Sequence, residues 1–561
     1  MVRINSRTLF LTTSPRSPFK MLPEIKVLVD DFSGEKWNRQ TQCRFMETLS
    51  EKDFFEGHGS TSDPTFSARD RITRAPKSLG FVVLKPTIQL SPAGHTLLYK
   101  HRKEETLLRQ MMKFQIPSPY HVPTAQAAHF CVKPYLEILR LIRTLGTLKF
   151  DELRLFGMQL TDWHDFDSIV HKIEKFRVNA LKKKGSYRKF YQTYAFEELK
   201  HVFAERIARG ETKTRESDDK SLKNFLSTQF GNMRDYADAC YRYLKATGLI
   251  NVSHVGKALS IVPERTEDVD FLLSTIDRTP FDFKSEKEYV AYLGEAHTPA
   301  LLSDDKGALL KRIQTEFPHL DIDRNADIES IKDVLADNIE QRKISTIQKQ
   351  IADIKEYRLY ADIQDTFNRI VKKDVLDAPL MLEWNMWRAM TMLDGGDIKA
   401  NLFFDDYGNP MSVARGNMAD IVCDYDDFVL IVEVTLASGQ RQYETESEPI
   451  SRHLGAMKHM SNKPCYCLFV APVINPSCVA HFFALHHLNI SYYGGKSVIV
   501  PLPLSIFQKM LENSHKVKYV PSSSHVKSFF ERSRLLASSG CTEVEWFDKM
   551  KEEAIAWPEH C

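Results

Sequence analysis

Two acidic residues within an apolar hairpin pattern are the first candidates for chemistry in this sequence. Asp420 precedes a short apolar run, and Glu433 interrupts a longer β-branched and aliphatic run. Residues 424–427 have the composition of a turn, and a turn centred between Asp426 and Asp427 places Glu433 opposite Asp420. Opposed residues of an antiparallel pair share a face, with Cβ atoms about 5 Å apart. Carboxylates this close repel each other, whereas Mg²⁺ binds hard oxygen ligands, so the pair predicts a divalent cation site.

The flanking sequence predicts the helices and strands that position this hairpin. Apolar spacing and Pro449, which suits the first position of a helix, indicate three helices, at 354–371, Met381–Arg388 and Pro449–Met460. Apolar runs indicate two further strands, at Tyr466–Ala471 and Ser497–Leu502, and Ala437–Glu444 is expected to be a loop. Together these elements predict an α/β domain with a mixed sheet over residues 351–561.

Composition and charge exclude several classes of protein. The 561 residues are too many for one core, and 43% hydrophobic with 27% charged residues is typical of a soluble multidomain protein. No apolar run reaches the roughly 20 residues that span a bilayer, and the N-terminus has no signal-peptide pattern. Nine scattered cysteines without a Cys-x-x-Cys pair favour a reducing compartment over disulfides or structural zinc. The net charge of +2 means that any surface for nucleic acid must be local.

Basic residues are clustered in two N-terminal segments. Residues 14–20 contain two prolines that exclude a helix interior, and residues 69–77 place four cations within nine positions. A charge run is commonly a solvated surface, but arginine also suits phosphates and base edges of DNA. The candidate DNA contacts are Arg16, Lys20, Arg69, Arg71 and Arg74.

Two segments in the first half of the chain have the pattern of a winged-helix unit. Residues 80–90 predict a β-ribbon, followed by a helix capped at Ser91. Residues 235–245 predict an amphipathic helix, and two short apolar runs then flank a turn at 254–257. The expected division is a DNA-recognition region at 1–263, with units at about 1–125 and 126–263, and a helical linker domain at 264–350. A coiled-coil segment is the competing interpretation of the linker.

The acid pair resembles the PD-(D/E)xK nuclease core, with two departures. Ala419 stands where that motif has proline, and Thr435 stands where it has lysine. A longer pattern resembles the AlwI-type restriction endonucleases, a family of type IIS enzymes and strand-specific nicking relatives. Its residues are Glu433-Val434-Thr435, Gln442, Glu446 to Pro449, Arg452 and His453, with blocks at 14–18, 66–71, 80–82 and 466–472.

This resemblance implies roles for individual residues. Asp420, Glu433 and the backbone carbonyl of Val434 would bind Mg²⁺, or Mn²⁺ as a substitute, and Glu446 would bind a second metal or hold the histidine. Glu446 and His453 would take the place of the missing lysine, with His453 as a general base or as the group that orients water. Glu383 would complete the catalytic set. The alternatives are a salt bridge from Glu383 to Arg388 and a structural role for His453.

The resemblance therefore implies a multidomain α+β protein that acts on double-stranded DNA inside a prokaryotic cell. The expected function is a Mg²⁺-dependent type IIS endonuclease that binds a short asymmetric sequence and cuts a few base pairs outside it. Cutting both strands would need a transient homodimer or a small second nuclease subunit, and a cognate DNA methyltransferase is an expected partner. The rivals are a strand-specific nicking endonuclease, as the large subunit of a heterodimeric restriction enzyme, and a DNA-binding protein with an inactive nuclease domain. A transposase-like nuclease is a third possibility.

Overall fold

A computed structural model describes residues 2–52, 54–55, 63–253, 256–393, 397–414, 416–516 and 522–557. The chain divides into two compact units, one of Met1–Lys52 with Gly57–Asn338 and one of Asp53–Glu56 with Ile339–Cys561. Within the described residues, no helix is long and apolar enough to span a membrane. The whole is a mixed, helix-rich α+β protein, as the sequence predicts.

The first unit is mainly helical. Its helices are α1 Met21–Phe32, α2 Arg39–Ser50, α3 Pro64–Ile72, α4 Ala75–Ser78, α5 Pro92–Tyr99, α6 Lys103–Lys113, α7 Pro134–Leu145, α8 Phe150–Leu155, α9 Phe166–Lys182, α10 Tyr187–Val202, α11 Ala204–Ala208, α12 Leu222–Lys245, α13 Thr266–Thr275, α14 Glu286–Gly294 and α15 Lys306–Glu316. Short 3₁₀ helices lie at Pro18–Lys20, Gly157–Gln159, Trp163–Asp165, Pro263–Arg265 and Leu302–Asp304. The basic segment at 69–77 is therefore helical over much of its length, in α3 and α4.

The strands of the first unit form three small sheets. They are β1 Val2–Ile4, β2 Val82–Val83, β3 Gln89–Leu90, β4 His121–Pro123, β5 Thr147–Lys149, β6 Ile250–Ser253 and β7 Ala258–Ile261. β2 and β3 pair antiparallel, and Ser91 caps α5 by accepting a hydrogen bond from the Gly94 N–H, which confirms the predicted ribbon and capped helix. β6 and β7 form the second predicted hairpin, which β5 extends in the order β5-β7-β6. His254 and Val255 of its turn lie outside the described residues.

The segment predicted as a linker is helical, as expected. It contains α13 to α15 and most of α16, Ile328–Lys355. Residues up to Asn338 group with the first unit, and the boundary between the units falls within α16. Ile331 and Leu335 of this helix are buried, so its apolar spacing reflects packing within the chain.

The second unit is built on a five-stranded mixed sheet. Its helices are α17 Tyr360–Val371, α18 Ala378–Leu393, α19 Gln440–Met460, α20 Pro476–His487, α21 Leu504–Lys516, α22 Ser523–Ala537 and α23 Glu543–Ile555. Its strands are β8 Asp397–Ala400, β9 Leu402–Phe404, β10 Pro410–Val413, β11 Ile421–Asp424, β12 Val429–Val434, β13 Cys465–Ala471 and β14 Ile499–Pro503, and a 3₁₀ helix lies at Ser491–Tyr493. The sheet order is β14-β13-β12-β11-β8, and β9 pairs with β10 separately.

The strands of this sheet differ in direction, and the central ones are buried. β12, β13 and β14 are parallel, whereas β11 is antiparallel to both β12 and β8. Every residue of β13 is buried, as are the first five of β12, because helices cover both faces of this part of the sheet. The mixed sheet and both predicted strands, near 466–471 and 497–502, are confirmed.

Two predicted helix boundaries are wrong. The helix predicted at 354–371 is interrupted, because α16 ends at Lys355 and α17 begins at Tyr360. α19 begins at Gln440, so residues 440–444 are helix rather than loop, and Pro449 lies inside the helix instead of at its start. Proline is favoured in the first turn of a helix, because an N–H there would have no partner within the helix. Here the chain enters the helix at Gly439, with φ of 62°, and the packed helix accommodates Pro449 in its middle.

Candidate active site

The hairpin that carries the acid pair has the register predicted from its turn. Ile421 pairs with Val432, and Asp424 pairs with Val429 at the turn end. One step beyond the Ile421 pair, the same register places Asp420 opposite Glu433. The N–H of Val434 donates a hydrogen bond of 2.8 Å to Asp420 Oδ2, which ties the side chain of Asp420 to the end of β12.

The two carboxylates lie in an environment that opposes their charge. Burial, followed by the charge of Glu433, raises the pKa of Asp420 well above its usual value. Burial and then the charge of Glu446 raise the pKa of Glu433 in the same direction. Three carboxylates therefore act on one another at the end of the hairpin, which is an unfavourable arrangement unless a cation compensates it.

His453 reaches the same point from α19. Its Nδ1 lies 2.8 Å from Glu433 Oε1. Burial, aided by the neighbouring Arg452, lowers the pKa of His453 to about 4, so the ring is neutral at pH 7. A neutral ring that donates its Nδ1 proton to Glu433 leaves Nε2 as a proton acceptor.

Glu446 is held by the residue that stands at the lysine position. The hydroxyl of Thr435 donates a 2.9 Å hydrogen bond to Glu446 Oε1. Glu446 lies within α19 rather than just before it, and His453 follows seven residues later, after about two turns of helix. That spacing brings both side chains to the face of α19 next to the hairpin.

The hydrogen bonds of Gln442 fix the loop between β12 and α19. Gln442 is fully buried and donates from Nε2 to the carbonyls of Ala437 and Val473. Its Oε1 accepts a hydrogen bond from the N–H of Asn475. The predicted loop at Ala437–Glu444 hid the place of Gln442 in the first turn of α19.

Glu383 lies on α18, which packs against β12, and its side chain is partly buried. Arg388, the alternative partner for Glu383, donates hydrogen bonds to Asp362 and to Asn385 Oδ1. The catalytic role of Glu383 stays a prediction.

The residues present fit a divalent cation, although not a closed metal cage. Within the described ranges, no three His, Cys, Asp or Glu side chains are gathered closely enough to enclose a metal ion. Mg²⁺ does not require such a cage, since it is commonly held by one or two carboxylates with water and substrate phosphate. Asp420 and Glu433, with raised pKa values on one face of the hairpin, are a donor pair of this kind.

The proposed DNA contacts lie in the first unit and differ in their surroundings. Arg69 is exposed on α3, and Arg16 is exposed near Asp235 and Asp238, at 3.7 and 3.9 Å. Arg71 forms a salt bridge with the buried carboxylate of Glu24, and Arg74 pairs with Asp70 at 2.6 Å. Lys20 closes the 3₁₀ helix Pro18–Lys20 and is partly buried. Arg69 and Arg16 are therefore the most accessible of the five predicted contacts.

Comparison with known proteins identifies the class as a DNA-binding nuclease, a restriction endonuclease. The family model described as AlwI restriction endonuclease matches residues 77–510, most of the chain. The chain belongs to the AlwI restriction endonuclease family, which confirms the resemblance found in the sequence. No curated protein matches it.

Three solved structures show partial similarity. The small subunit, R.BspD6I2, of the heterodimeric restriction endonuclease R.BspD6I is 22% identical, over 36% of this chain and 96% of that one, with a TM-score of 0.28. The BpuJ1 endonuclease binding domain, solved with pyrene- and phenanthrene-modified DNA, is 13% identical over 49% and 92%, with a TM-score of 0.32. The restriction endonuclease FokI is 11% identical over 93% and 98%, with a TM-score of 0.23. All three TM-scores are low, and the family assignment rests on the sequence match alone.

Proposed function

We propose that this protein is a type IIS restriction endonuclease, which binds a short asymmetric duplex sequence and hydrolyses phosphodiester bonds a few base pairs outside it. The observation that carries the proposal is the meeting of Asp420 and Glu433 with His453, which contacts Glu433 at 2.8 Å. Family membership supports DNA cleavage as the class of reaction. Cleavage outside the recognition sequence suits a chain whose candidate DNA contacts and acid pair belong to different units.

The acid pair would hold Mg²⁺, or Mn²⁺ in its place. Asp420, Glu433 and the backbone carbonyl of Val434 would supply the ligands, and Glu446 would supply a further carboxylate. A bound Mg²⁺ provides positive charge that polarises the scissile phosphate and makes water more acidic. The N–H of Val434 fixes the orientation of Asp420, so one ligand is already positioned before the metal arrives.

His453 would act as the general base. With the tautomer that donates its Nδ1 proton to Glu433, the ring would have Nε2 free to accept a proton from the attacking water. The low pKa keeps the ring in its basic form at neutral pH. In this proposal, His453 and Glu446 take the role of the lysine of the PD-(D/E)xK motif, whose position Thr435 occupies here. Glu383 is a further candidate for a catalytic residue.

The first unit would recognise the DNA sequence. β2, β3 and α5 form one candidate winged-helix unit, and α12 with β6 and β7 forms a second. Arg16, Lys20, Arg69, Arg71 and Arg74 are the proposed contacts. A cognate methyltransferase, protecting the same sequence in the host, is the expected companion enzyme.

The Asp420–Glu433 pair provides one cleavage centre, which would cut one strand. Double-strand cleavage needs a second centre, from a transient homodimer or from a small partner subunit. A strand-specific nicking enzyme has the same chemistry without that second centre. The single Asp420–Glu433 hairpin in the described part of the chain is the observation that keeps this alternative open.

Supercoiled plasmid with Mg²⁺ tests the proposal and separates the alternatives. Linear product with cuts at a fixed offset from one sequence is the expected result, and open-circular product alone would favour the nicking enzyme. Glu433→Ala should abolish cleavage, whereas Glu552→Ala, which removes an exposed acid on α23, should not. Equal cleavage by Glu433→Ala would refute the site, and absence of cleavage by the unaltered protein with any divalent cation would favour a DNA-binding protein with an inactive nuclease domain.

A further inference from the structure

Thr435 is fixed at the point where the hairpin meets α19. Its N–H donates to the carbonyl of Val470, at 3.2 Å, and so continues the parallel pairing of β12 with β13 by one residue. Its side chain is partly buried and faces α19. The backbone at position 435 is therefore held by the sheet, and its side chain has a defined direction.

Two neighbouring groups determine which hydrogen bond the Thr435 hydroxyl accepts and which one it donates. The N–H of Ala437 donates to Thr435 Oγ1 at 3.0 Å, which occupies one lone pair. Glu446 Oε1 lies 2.9 Å away and can only accept when ionised, so the hydroxyl proton points at Glu446. This bond restricts the rotation of the Glu446 side chain.

A second hydroxyl near Glu446 serves as an internal comparison. Thr445 Oγ1 lies 3.1 Å from Glu446 Oε1, but it also lies 2.9 Å from the carbonyl of Arg441, one helical turn earlier. A hydroxyl has one proton, and a helical threonine commonly donates it to the carbonyl four residues before it. Thr445 is also exposed to water, whereas Thr435 is tied to the sheet.

We propose that Thr435 is a positioning residue that holds Glu446 against the acid pair through the bond from its hydroxyl to Glu446 Oε1. The second oxygen of Glu446 then remains available to the site, where its charge already acts on Asp420 and Glu433. This inference rests on the proposed function. The proposal gives Thr435 a function at the position where the nuclease motif has lysine. A lysine ammonium at this position would form an ion pair with Glu446 and draw Glu446 away from the acid pair.

Three substitutions in the full-length protein test the role. Thr435→Val removes the hydroxyl at constant shape, Thr435→Ser retains it, and Thr445→Val is the matched control. Loss of a hydrogen bond to a charged group predicts that Thr435→Val lowers kcat by ~10-fold to ~100-fold, with the Kd for DNA unchanged. Thr435→Ser and Thr445→Val should remain within about threefold of the unaltered protein.

A measurement without DNA or catalysis gives an independent readout. Calorimetric titration with Mn²⁺ should show weaker binding for Thr435→Val and near-normal binding for Thr435→Ser. In a double-variant comparison, Thr435→Val should weaken Mn²⁺ binding little further when Glu446→Gln is already present, since the threonine acts through Glu446. Should Thr435→Val fail to fold, Thr435→Ala removes the same hydroxyl at this partly exposed position and takes its place in the comparison.

The outcomes separate the inference from the proposed function. Unchanged kcat and Mn²⁺ binding in Thr435→Val, with Glu433→Ala inactive, would overturn the role of Thr435 and leave the nuclease intact. An equal further loss in the Glu446→Gln background would also overturn it. Undiminished cleavage by Glu433→Ala would instead remove the proposed site and this inference together.

Discussion

Nδ1 of His453 lies 2.8 Å from Oε1 of Glu433, and the two residues come from adjacent elements, α19 and β12. We predict that His453→Gln lowers the cleavage rate by ~100-fold or more, as loss of a general base does. Glutamine can still donate to Glu433 but has no basic nitrogen. DNA binding should be unchanged. His459→Gln, an exposed position near the end of α19, is the control and should cleave normally in a plasmid assay.

Asp420→Asn should abolish cleavage and yet stabilise the metal-free protein. The pKa of Asp420 is raised well above its usual value by burial and by Glu433, so its ionisation at neutral pH costs folding free energy. Such a group favours folding at low pH and loses that contribution as the pH rises. Thermal unfolding in a chelator at pH 8 should give a higher Tm for Asp420→Asn than for the unaltered protein. Added Mg²⁺ should raise the Tm of the unaltered protein and not that of the variant, and an equal rise in both would contradict metal binding at Asp420.

The acid hairpin could be predicted from sequence because its determinants are local. A short turn centred between Asp426 and Asp427 fixes the register, and the register then fixes which residue faces Asp420. The start of α19 could not be predicted in the same way. Pro449 is a strong local signal for the first helical turn, but burial of Gln442 and its three hydrogen bonds extend the helix back to Gln440. Tertiary packing outweighed the local preference there.

The surroundings of the basic residues also lie beyond sequence reasoning. Arg69 and Arg71 are two positions apart on α3, yet one is exposed and the other pairs with Glu24 on α1. The partner is 47 positions away in sequence, so no local pattern indicates it. The two arginines therefore differ in their surroundings, and both stay predicted DNA contacts.

Substitution of Arg69 should change DNA binding, whereas substitution of Arg71 should change the stability of the protein. Arg69→Ala should leave stability within about 0.5 kcal/mol, because Arg69 is exposed, and should weaken DNA binding with a shallower dependence on salt. Arg71→Ala should destabilise the protein by about 1–3 kcal/mol, because it leaves the carboxylate of Glu24 buried without this partner. Thermal unfolding and a DNA-binding titration at several salt concentrations measure the two effects. Loss of stability in Arg69→Ala alone would contradict this division.

The burial of His121 predicts that the first unit loses stability in acid. It is buried on β4, and burial together with the charge of Lys77 lowers its pKa from 6.5 to about 4. The unfolded histidine binds a proton below about pH 6.5, while the folded one does so near pH 4, so stability is lost as the pH falls between these values. The gap corresponds to about 3 kcal/mol at full effect.

His121→Phe is the variant that checks this contribution. The ring of His121 contacts Phe10 and Phe114, with centroids at 5.8 and 5.3 Å, so phenylalanine keeps an aromatic side chain there. The fall in Tm between pH 7 and pH 5 should be smaller in the variant than in the unaltered protein. An identical fall in both proteins would assign the acid sensitivity to other groups.

Gly455 should be intolerant of a side chain, although it lies within a helix. Alanine at an exposed helical position would stabilise α19 by about 1 kcal/mol relative to glycine. At Gly455, however, a Cβ atom would lie 2.9 Å from the Cα of Tyr493 and 3.3 Å from the carbonyl oxygen of Tyr492. Both are backbone atoms, which cannot rotate away, so α19 must move from the segment 491–493. Overpacking of this kind typically costs 1–3 kcal/mol, about equal to or larger than the gain in helix propensity.

The position of Gly455 makes this a test of the site as well as of packing. It is two residues beyond His453 on α19, so a shift of the helix changes the contact between His453 and Glu433. We predict that Gly455→Ala lowers both the Tm and the cleavage rate, whereas Ala456→Gly at the next, exposed position lowers the Tm slightly and leaves cleavage unchanged. Thermal unfolding and plasmid cleavage, measured on the two variants side by side, distinguish a displaced helix from a merely less stable one. Normal cleavage by Gly455→Ala, with a lowered Tm, would contradict this prediction and show that α19 can adjust without disturbing the contact between His453 and Glu433.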